Sequence, residues 1–386
     1  MPGVHSLNNS VQGPKRPPAV RLDLKSQITP RPATLGETPA IANPALAGDA
    51  STIDSGRVFS PQGLPALAAM GQLPSPQDYQ KAVGRLENVV KIDVDLQDTR
   101  VKRKLYLRPN YQPLLKTQSE PTTKGTVVML HGYTAGPWQY NSPAEDFFEA
   151  GYNVYVPRIT GHGYMTPEGH PSNEKMISKD NIQDYDKFVD EVYDMVKDLG
   201  GPVQIVGLSG GGNLALRMAE RHPDIKGMVV MAPYLGPNTA VKPLSRALQV
   251  LDRFSPIKPH AVMDLFNVGD NSPTGSAIDM PHTRGTMDNA TAMLYVGANV
   301  EKINVPTQFV TTEGDALSGT GPVGNLFEKS GGKTQNGWFH FREEDKVPHA
   351  MASDMQNTEP GRHEQLWQMA FNMLEKGQTT SRLPGS

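Results

Sequence analysis

The residues best placed to do chemistry lie in Pro202 to Pro223, PVQIVGLSGGGNLALRMAERHP. Pro202 to Val206 is a short apolar run with β-branched residues and predicts a buried strand; Asn213 to Arg221, with Leu214, Leu216 and Met218 as its apolar residues, predicts a helix. Between them stands Gly207-Leu208-Ser209-Gly210-Gly211, a Gly-x-Ser-x-Gly turn. A sharp strand-to-helix turn holds its serine in strained backbone, and side chains two positions either side would collide. The helix that follows points free N–H groups at the turn, where developing negative charge can be held. Two rival readings exist. A Gly-rich turn can be only a tight loop. Gly210-x-Gly212-x-x-Ala215 also fits a dinucleotide fingerprint, but that needs an acid after the next strand, and Gly227 to Ala232 runs into Pro233-Tyr234.

A serine hydroxyl needs a base, and an imidazole needs a carboxylate to set its tautomer. With this turn the expected chain order is serine, acid, histidine. The strand pattern Pro306 to Thr312 leads into Glu313-Gly314-Asp315, and Trp338 to Phe341 leads towards Val347-Pro348-His349-Ala350. Asp315 is preferred to Glu313, which precedes the glycine turn. His349 is preferred to His340, inside a strand pattern, and to His363, at the start of the last helix. A tetrahedral intermediate needs two backbone donors: the residue after the nucleophile, Gly210, and one from the loop after the Gly125 to Leu130 strand, where His131-Gly132-Tyr133 makes Tyr133 N–H the candidate. Alone, His131-Gly132 would read as a plain turn.

The elements that must position these residues alternate. Gly125–Leu130 and Tyr152–Val156 predict buried strands, and Ser142–Ala150 a helix. Ser178–Leu199 predicts the clearest helix, with Ile182, Tyr185, Val189, Val192, Val196 and Leu199 on one face and a solvated acidic face opposite. Helices are predicted at Asn289–Val300, Val323–Lys329 and Arg362–Glu375. Upstream, Pro76–Leu86 predicts a short helix, and Val89–Asp95 with Val101–Leu107 a hairpin around Gln97-Asp98. Residues 234–288 break the rhythm with Pro, Gly and Asn. They predict an inserted cap carrying a helix at Leu244–Phe254 and lining an acyl pocket with Leu244, Leu248, Leu251 and Met263. Strand–helix alternation from residue 125 argues an open, mostly parallel sheet with helices on both faces and ligands at the strands' carboxyl ends.

VVMLHGYTAG at 127–136, PRITGHG at 157–163, IVGLSGGG at 205–212, EGDALS at 313–318 and VPHA at 347–350 resemble the α/β-hydrolase superfamily. More narrowly, they resemble bacterial carboxylesterases and monoacylglycerol-lipase-like serine hydrolases. The resemblance covers about residues 85–376. It implies an α/β-hydrolase fold, Ser209 as nucleophile, Asp315 and His349 as its partners, and Tyr133 and Gly210 as oxyanion donors. The single glycine before Tyr133 resembles esterases for ordinary acyl esters. Three features depart from the pattern: Gly210 stands where Met, Leu or Ala is usual, the cap looks short and Pro-rich, and Asp315 is followed by Ala-Leu-Ser-Gly. The expected activity is cleavage of carboxylic esters, possible acylglycerols included, through an acyl-enzyme on Ser209 without a cofactor. The same triad would serve a thioesterase, lactonase, amidase or peptidase, and a non-catalytic hydrolase-fold binding protein is the alternative of another class.

Composition bounds the rest. The chain has 386 residues and a net charge of −3, which gives no sign of nucleic-acid binding. It has no cysteine, which excludes disulfides and thiolate chemistry. No apolar run is long enough for a transmembrane helix. His162, Glu168 and His170 match no metal-site spacing, and no metal is expected. Residues 1–75, rich in Pro, Ala, Gly, Ser and Asn, predict a disordered or loosely attached leader that does not support the fold; 76–386 predicts the hydrolase domain. The start, MPGVHSLNNSVQGPKRPP, is no Sec-type signal, so a cytoplasmic location is expected, with non-classical export through the leader as the alternative.

Overall fold

The computed structural model describes residues 57–59, 73–95, 105–107, 111–166, 172–236, 287–313, 315, 318–353 and 360–385, all within the unit Asp54–Ser386. In chain order the elements begin with β1 (Arg57–Phe59), α1 (Pro76–Asp95), β2 (Tyr106–Leu107), β3 (Leu114–Lys116), β4 (Thr126–Leu130) and α2 (Asn141–Glu149). Then come β5 (Asn153–Val156), β6 (Tyr164–Met165), α3 (Gln183–Lys197), β7 (Val203–Leu208), α4 (Gly210–Arg221) and β8 (Gly227–Met231). The last are α5 (Met287–Ala298), β9 (Thr307–Thr312), α6 (Thr320–Lys329), β10 (Gly337–Phe341), α7 (Pro360–Lys376) and β11 (Thr379–Ser381).

Seven strands form one sheet in the order β10-β9-β8-β7-β4-β5-β3. Every pair is parallel except β3 with β5. The continuous apolar runs are explained by burial on both faces. Val128, Leu130, Ile205, Met228, Val230 and Phe309 join one core with α1, α3, α4, α5 and α6. Their strand neighbours Val127, Met129, Val206, Leu208, Val229, Met231 and Val310 join the other with α2 and α7. Successive side chains of a strand point to opposite faces, so each run feeds both cores. From β4 the chain moves outward through β5 and later returns to β7 on β4's other side. The crevice beyond the carboxyl ends of β4 and β7 is therefore the topological switch point, where open α/β sheets bind ligands.

Two expectations change. Val89–Asp95 is not a strand but the end of α1, which runs unbroken to Asp95. Tyr79, Ala82, Val83 and Leu86 are buried at helical spacing and Val90 packs against the same core, so the period of the whole segment outweighs the local alternation of its last seven residues. Of the predicted partner strand, Tyr106–Leu107 is strand and pairs with Tyr164–Met165; residues 96–104 lie outside the described residues. In residues 1–75, Arg57–Phe59 forms a strand antiparallel to Thr379–Ser381, a pairing with no signal in the leader's composition. Of the predicted cap, residues 237–286 lie outside the described residues, Leu244, Leu248, Leu251 and Met263 among them.

Candidate active site

Strand β7 ends at Leu208 and helix α4 begins at Gly210, leaving Ser209 alone in the turn with φ 54° and ψ −116°. Such backbone costs about 1–3 kcal/mol and persists only where its surroundings hold it. Here Ser209 N–H donates to Met231 O at 2.8 Å, and Ser209 O accepts from Asn213 N–H at 3.1 Å. The flanking glycines are forced by contact. A Cβ at Gly207 would lie 2.4 Å from Gly211 O, and one at Gly211 only 1.9 Å from Leu130 O. The first turn of α4 is thus pressed onto the end of β4, which brings Ser209 beside the loop that follows β4.

The loops after β9 and β10 complete the set. Ser209 Oγ lies 2.8 Å from His349 Nε2, and His349 Nδ1 lies 2.7 Å from Asp315 Oδ2. A carboxylate only accepts, so Nδ1 carries the hydrogen and Nε2 is left to accept from the serine hydroxyl. Asp315's side chain is 1% exposed and its Oδ1 accepts Ser318 N–H at 3.1 Å. Glu313 is not part of this set; its carboxylate accepts Glu343 N–H at 3.3 Å on the exposed side of the loop. His340 stays in β10, its Nδ1 2.9 Å from Thr311 Oγ1, and His363 Nε2 accepts from Trp367 Nε1 at 3.1 Å.

Tyr133 comes over the start of α4: a Cβ on Gly210 would lie 3.1 Å from Tyr133 N and 2.9 Å from Tyr133 Cβ. Met293 of α5 closes the other side, its Cγ 3.1 Å from the same point, so position 210 has no room for the larger residue expected there. Gly210 N–H opens a helix, where the first N–H groups have no partner within the helix. Below the Tyr133 loop lie two buried histidines. His131 donates through Nδ1 to Gly132 O at 2.9 Å and accepts Ile159 N–H on Nε2 at 3.0 Å. His162 stands edge-on to both His131 and Tyr133, its Nδ1 donating to Thr160 O at 3.3 Å. Burial pushes His131 well below the usual imidazole range and His162 down to about 4, so both are neutral near pH 7. Glu168 and His170 lie outside the described residues.

Residues 121–340 match the hydrolase family described as serine aminopeptidase, S33. That span is more than half of the 386 residues. The chain belongs to this S33 family of α/β-hydrolases. The match takes in Tyr133, Ser209 and Asp315 and ends before His349. A thermostable monoacylglycerol lipase of Bacillus sp. (strain H-257) is 35% identical over 103 residues, 27% of this chain. The aligned part spans only 38% of that relative's length. Among solved structures, a soluble variant of monoglyceride lipase from Saccharomyces cerevisiae has a TM-score of 0.55 at 17% identity, covering 72% of this chain and 94% of that one. A structure from work on LipS and LipT, two metagenome-derived lipolytic enzymes, has a TM-score of 0.52 at 17% identity, covering 70% of this chain and 99% of that one. At these identities the structural likeness establishes the fold.

Within this S33 chain, several residues around the site carried no sequence signal. Asn213 Nδ2 donates to Tyr234 O at 2.7 Å and Met293 O at 2.8 Å, tying the chain on both sides of residues 237–286 to the helix behind Ser209. Ser318 Oγ donates to Pro233 O at 2.6 Å, linking the Asp315 loop to the same chain. Thr312 Oγ1 donates to Val347 O at 2.8 Å, two residues before His349. Each joins residues far apart in sequence, so no local pattern could reveal it.

Proposed function

We propose that this S33 hydrolase cleaves carboxylic esters through an acyl-enzyme on Ser209, with acylglycerols as the substrate class. The observation that carries this reading is the hydrogen-bonded chain Asp315–His349–Ser209 at the switch point of the sheet. His349 Nε2 takes the Ser209 proton as Oγ attacks the ester carbonyl, and Asp315 stabilises the imidazolium. Gly210 and Tyr133 N–H groups receive the oxyanion; one such donor contributes roughly 10²–10³-fold to kcat. His349 then protonates the leaving alcohol and later activates the water that frees the acid. The acylglycerol class is supported by the names of the Bacillus relative and the yeast structure. A peptidase reading is supported by the family's own description.

The test is covalent labelling with a fluorophosphonate probe beside turnover of chromogenic esters, monoacylglycerols and aminoacyl anilides. Wild type is expected to label and to hydrolyse the esters, and Ser209→Ala to lose labelling and about 10⁶ in kcat. Anilide turnover without ester turnover would shift the assignment to the peptidase, and folded wild type that does not label would end the hydrolase mechanism altogether.

A further inference from the structure

Beyond the last helix the chain continues through Gly377 and Gln378 into β11, which lies along the outer edge of β10. Arg382 N–H donates to Trp338 O at 2.9 Å, and Arg382 O accepts His340 N–H at 2.7 Å. Gln308 of β9 fastens the same segment from below, accepting Thr380 N–H at 2.8 Å and donating to Thr380 O at 2.9 Å. Backbone pairing of this kind would close the sheet edge whatever side chain stood at 382. The side chain does something further.

The Arg382 guanidinium lies over the Phe339 ring at 4.4 Å and donates through Nε to His340 O at 2.9 Å. Its Nη2 is ion-paired with Asp345. Asp345 is a buried carboxylate, 2% exposed, in the turn that leaves β10 for His349. Its Oδ1 also pairs with Arg362 Nη2 of α7 at 2.7 Å, and its Oδ2 accepts Arg342 N–H at 2.8 Å. The next residue, Lys346, has left-handed backbone at φ 48°, and Val347 O is held by Thr312. A turn of strained backbone needs fixing from outside. A buried carboxylate fixes it only while its cations are present, because an uncompensated buried charge is strongly destabilising.

We infer that Arg382, acting through Asp345, is a positioning residue for His349: the C-terminal segment holds the loop that brings the imidazole to Ser209. The inference rests on the ester-hydrolase reading above. A base displaced by about 1 Å can cost 10²-fold in rate, so the effect falls on the chemical step more than on substrate binding.

The experiment compares wild type, Arg382→Ala, Arg382→Lys and Asp345→Asn for kcat and KM, well below each variant's Tm. Arg382→Ala and Asp345→Asn are expected to lose roughly 10–100-fold in kcat with little change in KM. Arg382→Lys keeps the charge but not the planar fork, and should recover part of the loss; it also serves if Arg382→Ala does not fold. An active wild type whose variants melt lower but keep kcat would overturn this inference alone. A wild type without ester turnover would overturn the ester reading and this inference with it.

Discussion

Ser209 owes its conformation to neighbours that cannot yield: the carbonyls of Leu130 and His131 against Gly211, and the Met231 carbonyl on its own N–H. Among the described residues, four that are not glycine have positive φ: Thr134, Ser209, Ala232 and Lys346. All follow the carboxyl ends of strands β4, β7, β8 and β10, and three lie in the segments carrying Tyr133, Ser209 and His349. Strain gathered at one edge of the sheet is characteristic of sites where geometry is held for function. The buried histidines beneath Tyr133 lead to a pH prediction. In the folded chain His162 titrates at about 4, below the ordinary 6.5. The unfolded chain therefore binds more protons as pH falls from 6.5 towards 4, and stability declines over that window. Arg158, whose guanidinium donates to His162 O at 2.8 Å, opposes a second positive charge there. Urea unfolding at pH 7.5 and 4.5 is expected to show wild type losing on the order of 3 kcal/mol more than His162→Phe between the two. Equal losses would mean that His162 is not held neutral by the fold.

At the scale of elements, the glycines separate into those that contact requires and those that it does not. Gly211 lies in the first turn of α4 with no space for a methyl group. Gly211→Ala is expected to destabilise by about 2 kcal/mol or more and to reduce the proposed ester hydrolysis together with stability, because α4 must lift off β4. Gly84 lies mid-way along α1, where a Cβ would meet nothing within 4 Å. Gly84→Ala should raise stability by about 0.5–1 kcal/mol, since the folded helix accepts the methyl and the unfolded chain loses freedom. Thermal melts of the two variants check this, and opposite signs are the expected result. The acidic face of α3 also proves partly structural: Asp186 and Asp190 pair with Arg217 and Arg221 of α4, so the helix behind Ser209 is braced from its outer side.

Over the whole molecule, the sheet's outer edge is finished by segments from both ends of the described chain. β11 lies along β10, and β1 pairs with β11 in the register Arg57↔Ser381, Val58↔Thr380 and Phe59↔Thr379. An unpaired edge strand exposes its backbone groups, and β1 covers those of β11. A chain starting at residue 54 is expected to melt with the full chain, whereas one starting at residue 60 should melt about 2–4 °C lower. Calorimetry of the three lengths decides the point, and identical melting of all three would show that β1 adds nothing to the fold. Among the described residues no helix is long and apolar enough to cross a membrane.

Much of this architecture was legible in the residues themselves, because it rests on short-range rules. Strand runs such as Gly125–Leu130 are apolar throughout since each faces two cores, and the Gly-x-Ser-x-Gly turn is readable since only glycine tolerates its contacts. The order of serine, acid and histidine follows from where their strands stand in the sheet, and His349 lies within hydrogen-bond distance of both Ser209 and Asp315. Val89–Asp95 alternates as a strand does over seven residues, but it continues the helical period that precedes it. What closes the site comes from long-range contacts: Asn213 holding both Tyr234 and Met293, Thr312 holding Val347, and Asp345 held by Arg362 and Arg382. Those partners stand from 17 to 80 residues apart. Side-chain periodicity repeats every two or 3.6 residues and reports which face is buried, not which distant residue meets it there.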